Sequence, residues 1–154
     1  MQIIFIILIL ISTGFTRILN IPIQYTSIQE GLNIAESNDT ILVSPGIYIE
    51  NLQWPEIEDL ILIGTSMENT IIDGNNNGSV ITMHLPESGL INSSTIISKF
   101  TIINGNAQSD FPHDRGGGIF LYNANPLLKN IIIQNCSAFY GGGIATINSN
   151  PIIY

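Results

Sequence analysis

GGGIFLYNANPLLK occupies residues 116–129, and GGGIATINSNPIIY occupies residues 141–154. The two segments align without a gap at an offset of 25. Seven of their fourteen positions are identical: Gly116/Gly141, Gly117/Gly142, Gly118/Gly143, Ile119/Ile144, Asn123/Asn148, Asn125/Asn150 and Pro126/Pro151. Leu127/Ile152 and Leu128/Ile153 are conservative pairs. A fixed period of this size marks a stacked repeat architecture. The unit holds β-branched runs and turn residues but no helical period, so it reads as one coil of a β-solenoid of about 25 residues. A looser echo lies upstream, where residues 70–75 (TIIDGN) resemble residues 101–106 (TIINGN) at an offset of 31. Uneven offsets imply loops of varying length leaving constant strands.

Stacking explains the composition. Parallel strands lie about 4.8 Å apart, so equivalent residues of successive coils sit above one another. Ile above Ile fills the interior with stiff side chains, Asn above Asn permits amide ladders at the corners, and Gly permits sharp bends and close backbone approach. The chain has 33 Ile, 17 Asn and 14 Gly among 154 residues.

Working outward, short runs such as Thr40–Val43, Ile47–Ile49, Leu60–Ile63, Thr70–Ile72, Val80–Met83, Ile96–Ile97, Phe100–Ile103 and Ile131–Ile133 are punctuated by Gly, Asn and Pro. Such runs read as strands. One helix start precedes them. Ser27-Ile28-Gln29-Glu30 is a capping box in which Glu30 is expected to reach back to Ser27. Ile28, Leu32 and Ala35 then form one apolar face. The expected organisation is a signal peptide over residues 1–14, a lead-in over 15–26, a capping helix over 27–37 and parallel coils over 38–154. The signal peptide rests on the apolar run IIFIILILI at residues 3–11, followed by the small residues Ser12 and Gly14. The run is too short to span a bilayer, which needs about 20 residues. Tyr154 falls inside a repeat, so the coils read as incomplete at the C-terminus, as in the first part of a longer protein.

Composition also excludes. Four basic and twelve acidic residues give a net charge of −8, which removes the cationic patch a nucleic-acid binder needs. Only 10% of residues are charged, against the signature of disorder. A single cysteine removes an intrachain disulfide framework.

At this point the chain resembles a known group. Residues 38–52 (NDTILVSPGIYIENL), preceded by the Ile28–Ala35 helix, resemble the entry of right-handed parallel β-helix proteins of the pectin-lyase-like superfamily. The GGGI repeats with I-x-x-N strands resemble the coils of bacterial surface proteins related to polymorphic outer-membrane proteins. The resemblance covers roughly residues 21–154 and implies an all-β, right-handed parallel β-helix with a short N-terminal capping helix. It implies a secreted or cell-surface scaffold, outer-membrane-associated in some relatives, that is adhesin-like or carbohydrate-binding. Polysaccharides, surface proteins, further coils of a longer chain, or a second copy at an uncapped end are then the expected partners. The alternative is a polysaccharide lyase or glycoside hydrolase whose active coils are missing.

The residues assign no catalytic group, metal or cofactor. Lyases of this superfamily use Ca²⁺-binding aspartates and a basic residue, and neither their motifs nor those of the pectin hydrolases occur here. The densest polar group is Asp110, His113, Asp114 and Arg115, a candidate binding loop just before the first GGGI. Asp114 and Arg115 are adjacent and most simply pair with each other. Glu56 and Glu58, two apart, would share a face if they lay on a strand. Asp73–Gly78 reads as a turn, His84 as a structural residue beside Met83 and Leu85, and Cys136 as a buried thiol. Trp54, Tyr48, Phe111, Phe139 and Tyr140 would offer sugar-stacking platforms if exposed.

Overall fold

The computed structural model describes residues 16–86 and 89–154. The expected signal peptide, residues 1–14, lies outside them. Strand β1 (Ile18–Ile21) precedes the helix α1 (Ile28–Ile34). Two passes of three strands follow: β2 (Thr40–Val43), β3 (Gly46–Ile49) and β4 (Leu52–Gln53), then β5 (Ile61–Gly64), β6 (Thr70–Asp73) and β7 (Ile81–His84). The next pass holds β8 (Ile96–Ile103), β9 (Asn106–Ala107) and β10 (Ile119–Tyr122). The last holds β11 (Leu127–Gln134), β12 (Ser137–Ala138) and β13 (Ile144–Ile147), and β14 (Ile152–Ile153) begins another.

Each pass visits the same stacks in the same order. One stack runs β1-β2-β5-β8-β11-β14, and a second runs β3-β6 onto the later half of β8. A third runs β4-β7-β10-β13, and β9 pairs with β12. All pairings between these strands are parallel. The described residues are thus mainly β, with stacked parallel sheets and one helix, an arrangement compatible with a β-solenoid.

The register carries the repeat and corrects its uniformity. Ile119 faces Ile144 and Leu127 faces Ile152, both at the expected offset of 25. Elsewhere in the first stack the offsets are 22 (Ile18↔Thr40), 21 (Thr40↔Ile61), 35 (Ile61↔Ile96) and 31 (Ile96↔Leu127). The upstream echo is displaced by one residue, because Thr101 pairs with Ile71 rather than Thr70. The turn takes up the difference: the Asn104 amide donates to Asp73 Oδ1 at 3.0 Å. The lead-in contains β1, whose Leu19 and Ile21 are buried under the helix end of the stack.

Leu19, Ile41, Leu62, Ile97, Leu128 and Ile153 form one column of successive partners. The first five are at most 4% exposed, and Ile153, in the last described layer, is 57% exposed. The two runs expected at Ile96–Ile97 and Phe100–Ile103 form one strand, bent at Lys99 with φ 60°. The Leu127 and Ile131 runs join likewise through Asn130, φ 52°.

The second copy of the repeat keeps the register of the first, Ile144 over Ile119 and Ile152 over Leu127, but not its surroundings. Gly116, Gly117, Gly118, Asn123 and Pro126 are buried. Their counterparts Gly141, Gly143 and Asn148 are exposed, and Gly142 and Pro151 are only partly covered. The cause is the stacking itself: the first copy has a described layer on each side, and the second has one on a single side. The backbone role is retained. Gly141 keeps a positive φ of 64°, against 60° at Gly116. The carbonyls of Gly141 and Gly142 accept the N–H groups of Gly117 and Gly118 at 3.3 and 3.1 Å. Pro151 leads into β14 as Pro126 leads into β11, and the Pro126 carbonyl accepts the Ile152 N–H at 3.0 Å.

Asparagine turns the corners, although not through amide ladders. Among the described residues, eight of the ten non-glycine residues with positive φ are Asn, including Asn123 and Asn148 of the repeat. Asn tolerates the left-handed region better than most residues. Some Asn side chains bond backbone groups of the next layer, the Asn123 amide donating to the Leu85 carbonyl at 2.9 Å and Asn125 Oδ1 accepting the Asn150 N–H, while the Asn104 amide meets the Asp73 carboxylate. A main-chain partner is available at every layer whatever residue occupies the next corner.

Helix α1 covers one end of the stack with Ile28 and Leu32, both fully buried. It is shorter than the expected 27–37 span, because Ala35 is already extended with ψ 150°. Ser27 accepts the Glu30 N–H at 3.1 Å, as the capping box requires. Glu30 reaches back one residue further than expected, accepting the Thr26 N–H at 2.8 Å. Glu50 adds a cap from outside, taking the N–H groups of Ile28 and Gln29 at 2.9 and 2.8 Å. Among the described residues no helix is long and apolar enough to cross a membrane.

Asp39, 1% exposed, ties the helix exit to β1. It accepts the Glu36 N–H at 2.8 Å and the Arg17 N–H and guanidinium Nε at 3.1–3.2 Å. Burial pushes its carboxyl up, but the Arg17 side-chain bond and the two backbone donors outweigh this and leave the pKa below the ordinary carboxylate value. A lowered folded-state pKa means stability present above the unfolded-state pKa and lost as pH falls through the folded-state value. Urea midpoints of the native chain should therefore fall below about pH 4, and Asp39→Asn should be less stable at pH 7 with a flatter acid dependence. Parallel acid profiles for the two proteins would refute this role.

Candidate functional site

The loop expected to carry polar chemistry is an insertion. The offset between neighbouring passes is 31 at Asn106↔Ser137 and 25 at Ile119↔Ile144, so the β9–β10 connection has six more residues than the β12–β13 connection. In stacked repeats, insertions map to loops on one face, often the binding face. The loop is anchored at both sides. Its Ser109 and His113 N–H groups bond the His113 and Asp110 carbonyls at 3.2 and 2.8 Å. The Tyr140 N–H bonds the Asp114 carbonyl at 3.1 Å, and the Ser79 hydroxyl bonds the Arg115 carbonyl at 3.0 Å.

Asp114 and Arg115 come together. Arg115 Nε lies 2.9 Å from Asp114 Oδ1, and the carboxylate is largely buried. The guanidinium also sits 4.6 Å from the Tyr140 ring centroid and 5.2 Å from that of Phe111. Held by one carboxylate and two ring faces, this cation is neutralised and fixed. Phe111 and Tyr140 remain 52% and 58% exposed, so each presents a ring edge or face to solvent. His113 and Asp110 stay on the exposed part of the loop.

The loop lies over the outward side of β7 and β10. Thr82 and His84, two apart on β7, pair with Phe120 and Tyr122 on β10, so these four side chains share one face. His84 is 4.7 Å from Tyr122 and 6.1 Å from Phe111, ring to ring. His84 is therefore packed in an aromatic cluster. The 38-residue offset between Thr82 and Phe120 hid this pairing from the sequence.

Beside the cluster runs a trough of about 250 Å³, lined by Gln53, Asn77, Ser79, Thr82, Ser109 and His113, with Asn51 at its base. The Asn51 amide is held by the Ser79 carbonyl at 3.0 Å. The side chains of Gln53, Asn77, Thr82, Ser109 and His113 have no hydrogen-bond partner among the described residues. Gln53 and Asn77 had no signal of their own, since each sits in a pass that only the register brings under the loop.

The other candidates fall elsewhere. Glu56 and Glu58 lie outside any strand and do not share a strand face. Asp73 closes its turn by accepting the Asn75 N–H at 2.8 Å. Cys136 is half-buried rather than buried, its sulfur taking the Gly105 N–H at 3.4 Å. Desolvation raises its thiol pKa, against a smaller lowering by that N–H. Trp54 belongs to the core, Tyr48 is half-buried and packs against it, and Phe139 is exposed. Among the described residues no group of three His, Cys, Asp or Glu is placed to hold a metal ion.

Comparison of the chain with protein-family models, with curated proteins and with solved structures gives no match.

Proposed function

We propose that this protein is a secreted or cell-surface right-handed parallel β-helix whose outer face binds a carbohydrate chain. Three observations support the fold assignment: parallel pairing in every strand ladder, the recurrence of the main stacks in the same order from pass to pass, and a 25-residue register at both Ile119↔Ile144 and Leu127↔Ile152. One observation carries the binding reading. The exposed rings of Phe111, on the inserted loop, and of Tyr140, in the neighbouring β12–β13 connection, are braced by Arg115 beside a trough of amides and hydroxyls. Sugars carry the complementary groups: apolar C–H faces for the rings and hydroxyls for the amides. The one buried acid of the loop is neutralised by Arg115, which favours binding over acid–base chemistry at this site.

The test is affinity electrophoresis of the full chain in native gels containing a panel of soluble polysaccharides. At least one should retard the protein. Phe111→Ala and Tyr140→Ala should each weaken retardation about tenfold, as loss of one stacking ring implies, with unchanged circular dichroism. Mobility unaffected by every polysaccharide would end the proposal, as would undiminished binding in the double variant.

A further inference from the structure

Charge around the trough bears on what kind of glycan it takes. Most side chains lining it are uncharged amides or hydroxyls: Asn51, Gln53, Asn77, Ser79, Thr82 and Ser109. His113 is the single ionisable group on its wall, and no Lys, Arg, Asp or Glu lines it. The whole chain has only four basic residues, Arg17, Lys99, Arg115 and Lys129. Arg17 is engaged by Asp39 beside β1. Lys99 and Lys129 lie on β8 and β11, on the first stack rather than the third. Arg115, the nearest, is committed to Asp114 and to two rings.

We infer that the ligand of this trough is a neutral glycan, one without uronate carboxylates or sulfate esters. The inference rests on the carbohydrate-binding reading above. Recognition of a carboxylate or sulfate at close range needs a cation or several convergent N–H donors to replace its hydration. The trough has no Lys or Arg, the free N–H donors of its amides are the neutral groups of Gln53 and Asn77, and the net charge of −8 repels a polyanion at longer range. A hydroxyl-bearing chain needs only what is present: amide groups that both donate and accept, and hydroxyls that do the same. Two of these groups are fixed before binding, Thr82 by its pairing between Gln53 and Phe120 and Ser79 by its bond to the Arg115 carbonyl, and so add little ordering cost.

The experiment uses the full chain in native gels containing a neutral glucan or mannan, against gels containing polygalacturonate or alginate. Retardation by a neutral polymer, unchanged when salt is raised to about 0.5 M, is the expected result, because hydrogen bonding and stacking are not screened as ion pairs are. Gln53→Ala and Asn77→Ala should each weaken it about fivefold, as for one lost neutral hydrogen bond. Gln53→Arg should admit the acidic polymer. Retardation only by the acidic polymers, or by both kinds equally, would overturn the neutral-glycan inference while leaving carbohydrate binding intact. No retardation in any gel would overturn both. Binding to the neutral polymer that Gln53→Ala and Asn77→Ala leave unchanged would also overturn the assignment, since the trough would then not be the site.

Discussion

Replacing Gly105 by alanine should destabilise the protein by roughly 3–4 kcal/mol, a large part of a typical domain's stability. The cause is local and backbone-on-backbone. A Cβ at Gly105 would lie inside van der Waals contact with the Gly117 carbonyl, oxygen and carbon both. That carbonyl cannot rotate away, because it accepts the Val80 N–H at 3.0 Å. Gly105 cannot retreat either, because its own carbonyl accepts the Ser137 N–H at 2.8 Å. Relief of the clash must break one ladder bond or shift a whole layer. The repeat supplies the control. Gly143 has the Ile133 methyl as its nearest neighbour, at 3.9 Å, and no positive φ, so Gly143→Ala should change stability by less than about 0.5 kcal/mol. Urea unfolding of the two variants decides the matter. A Gly105→Ala protein as stable as the parent would mean that the layers do not approach here as described.

The same comparison shows why a repeat read from sequence conveys position but not constraint. Gly118 and Gly143 are equivalent, yet a Cβ at Gly118 would meet the Gly143 carbonyl at 2.6 Å whereas Gly143 has room. The difference comes from the neighbouring layer, not from the residue or its local turn. The layers themselves were legible in the 25-residue spacing and in the Ile-rich alternation, because both are short-range patterns that stacking must preserve. β1 was not, since ILNI at residues 18–21 is too brief to stand out and becomes a strand only by adding Leu19 and Ile21 to a column that starts elsewhere. The site divides in the same way. Asp114 and Arg115 are neighbours in the chain, so their pairing was readable. Thr82, His84, Phe120 and Tyr122 meet across 38 residues, an offset set by the length of two inserted loops rather than by any local signal. Corner asparagines were anticipated for the wrong partner. Stacking suggested amide-to-amide ladders, whereas the left-handed corner at Asn123 turns its amide to the Leu85 carbonyl and that at Asn104 turns its amide to the Asp73 carboxylate.

Ile96 and Ile97 allow that layered register to be tested with one chemistry at two adjacent positions. Ile97 is fully buried between Leu62 and Leu128 in the interior column. Truncation to alanine leaves a void that the two flanking layers cannot close, since each is pinned by its own ladder to the layer beyond. Ile97→Ala should therefore cost about 3–4 kcal/mol, and Ile97→Val about 1 kcal/mol. Ile96 points to the other side of the same strand, beside Ile61 and Leu127 on the outer surface, and is only partly covered. Ile96→Ala removes the same atoms but leaves no enclosed cavity, so its cost should stay near 1 kcal/mol or below. Because side chains alternate along a strand, a one-residue slip in the β5–β8–β11 pairing would exchange the two outcomes. Denaturant midpoints showing Ile96→Ala to be the more damaging change would overturn the register of the β5–β8–β11 stack.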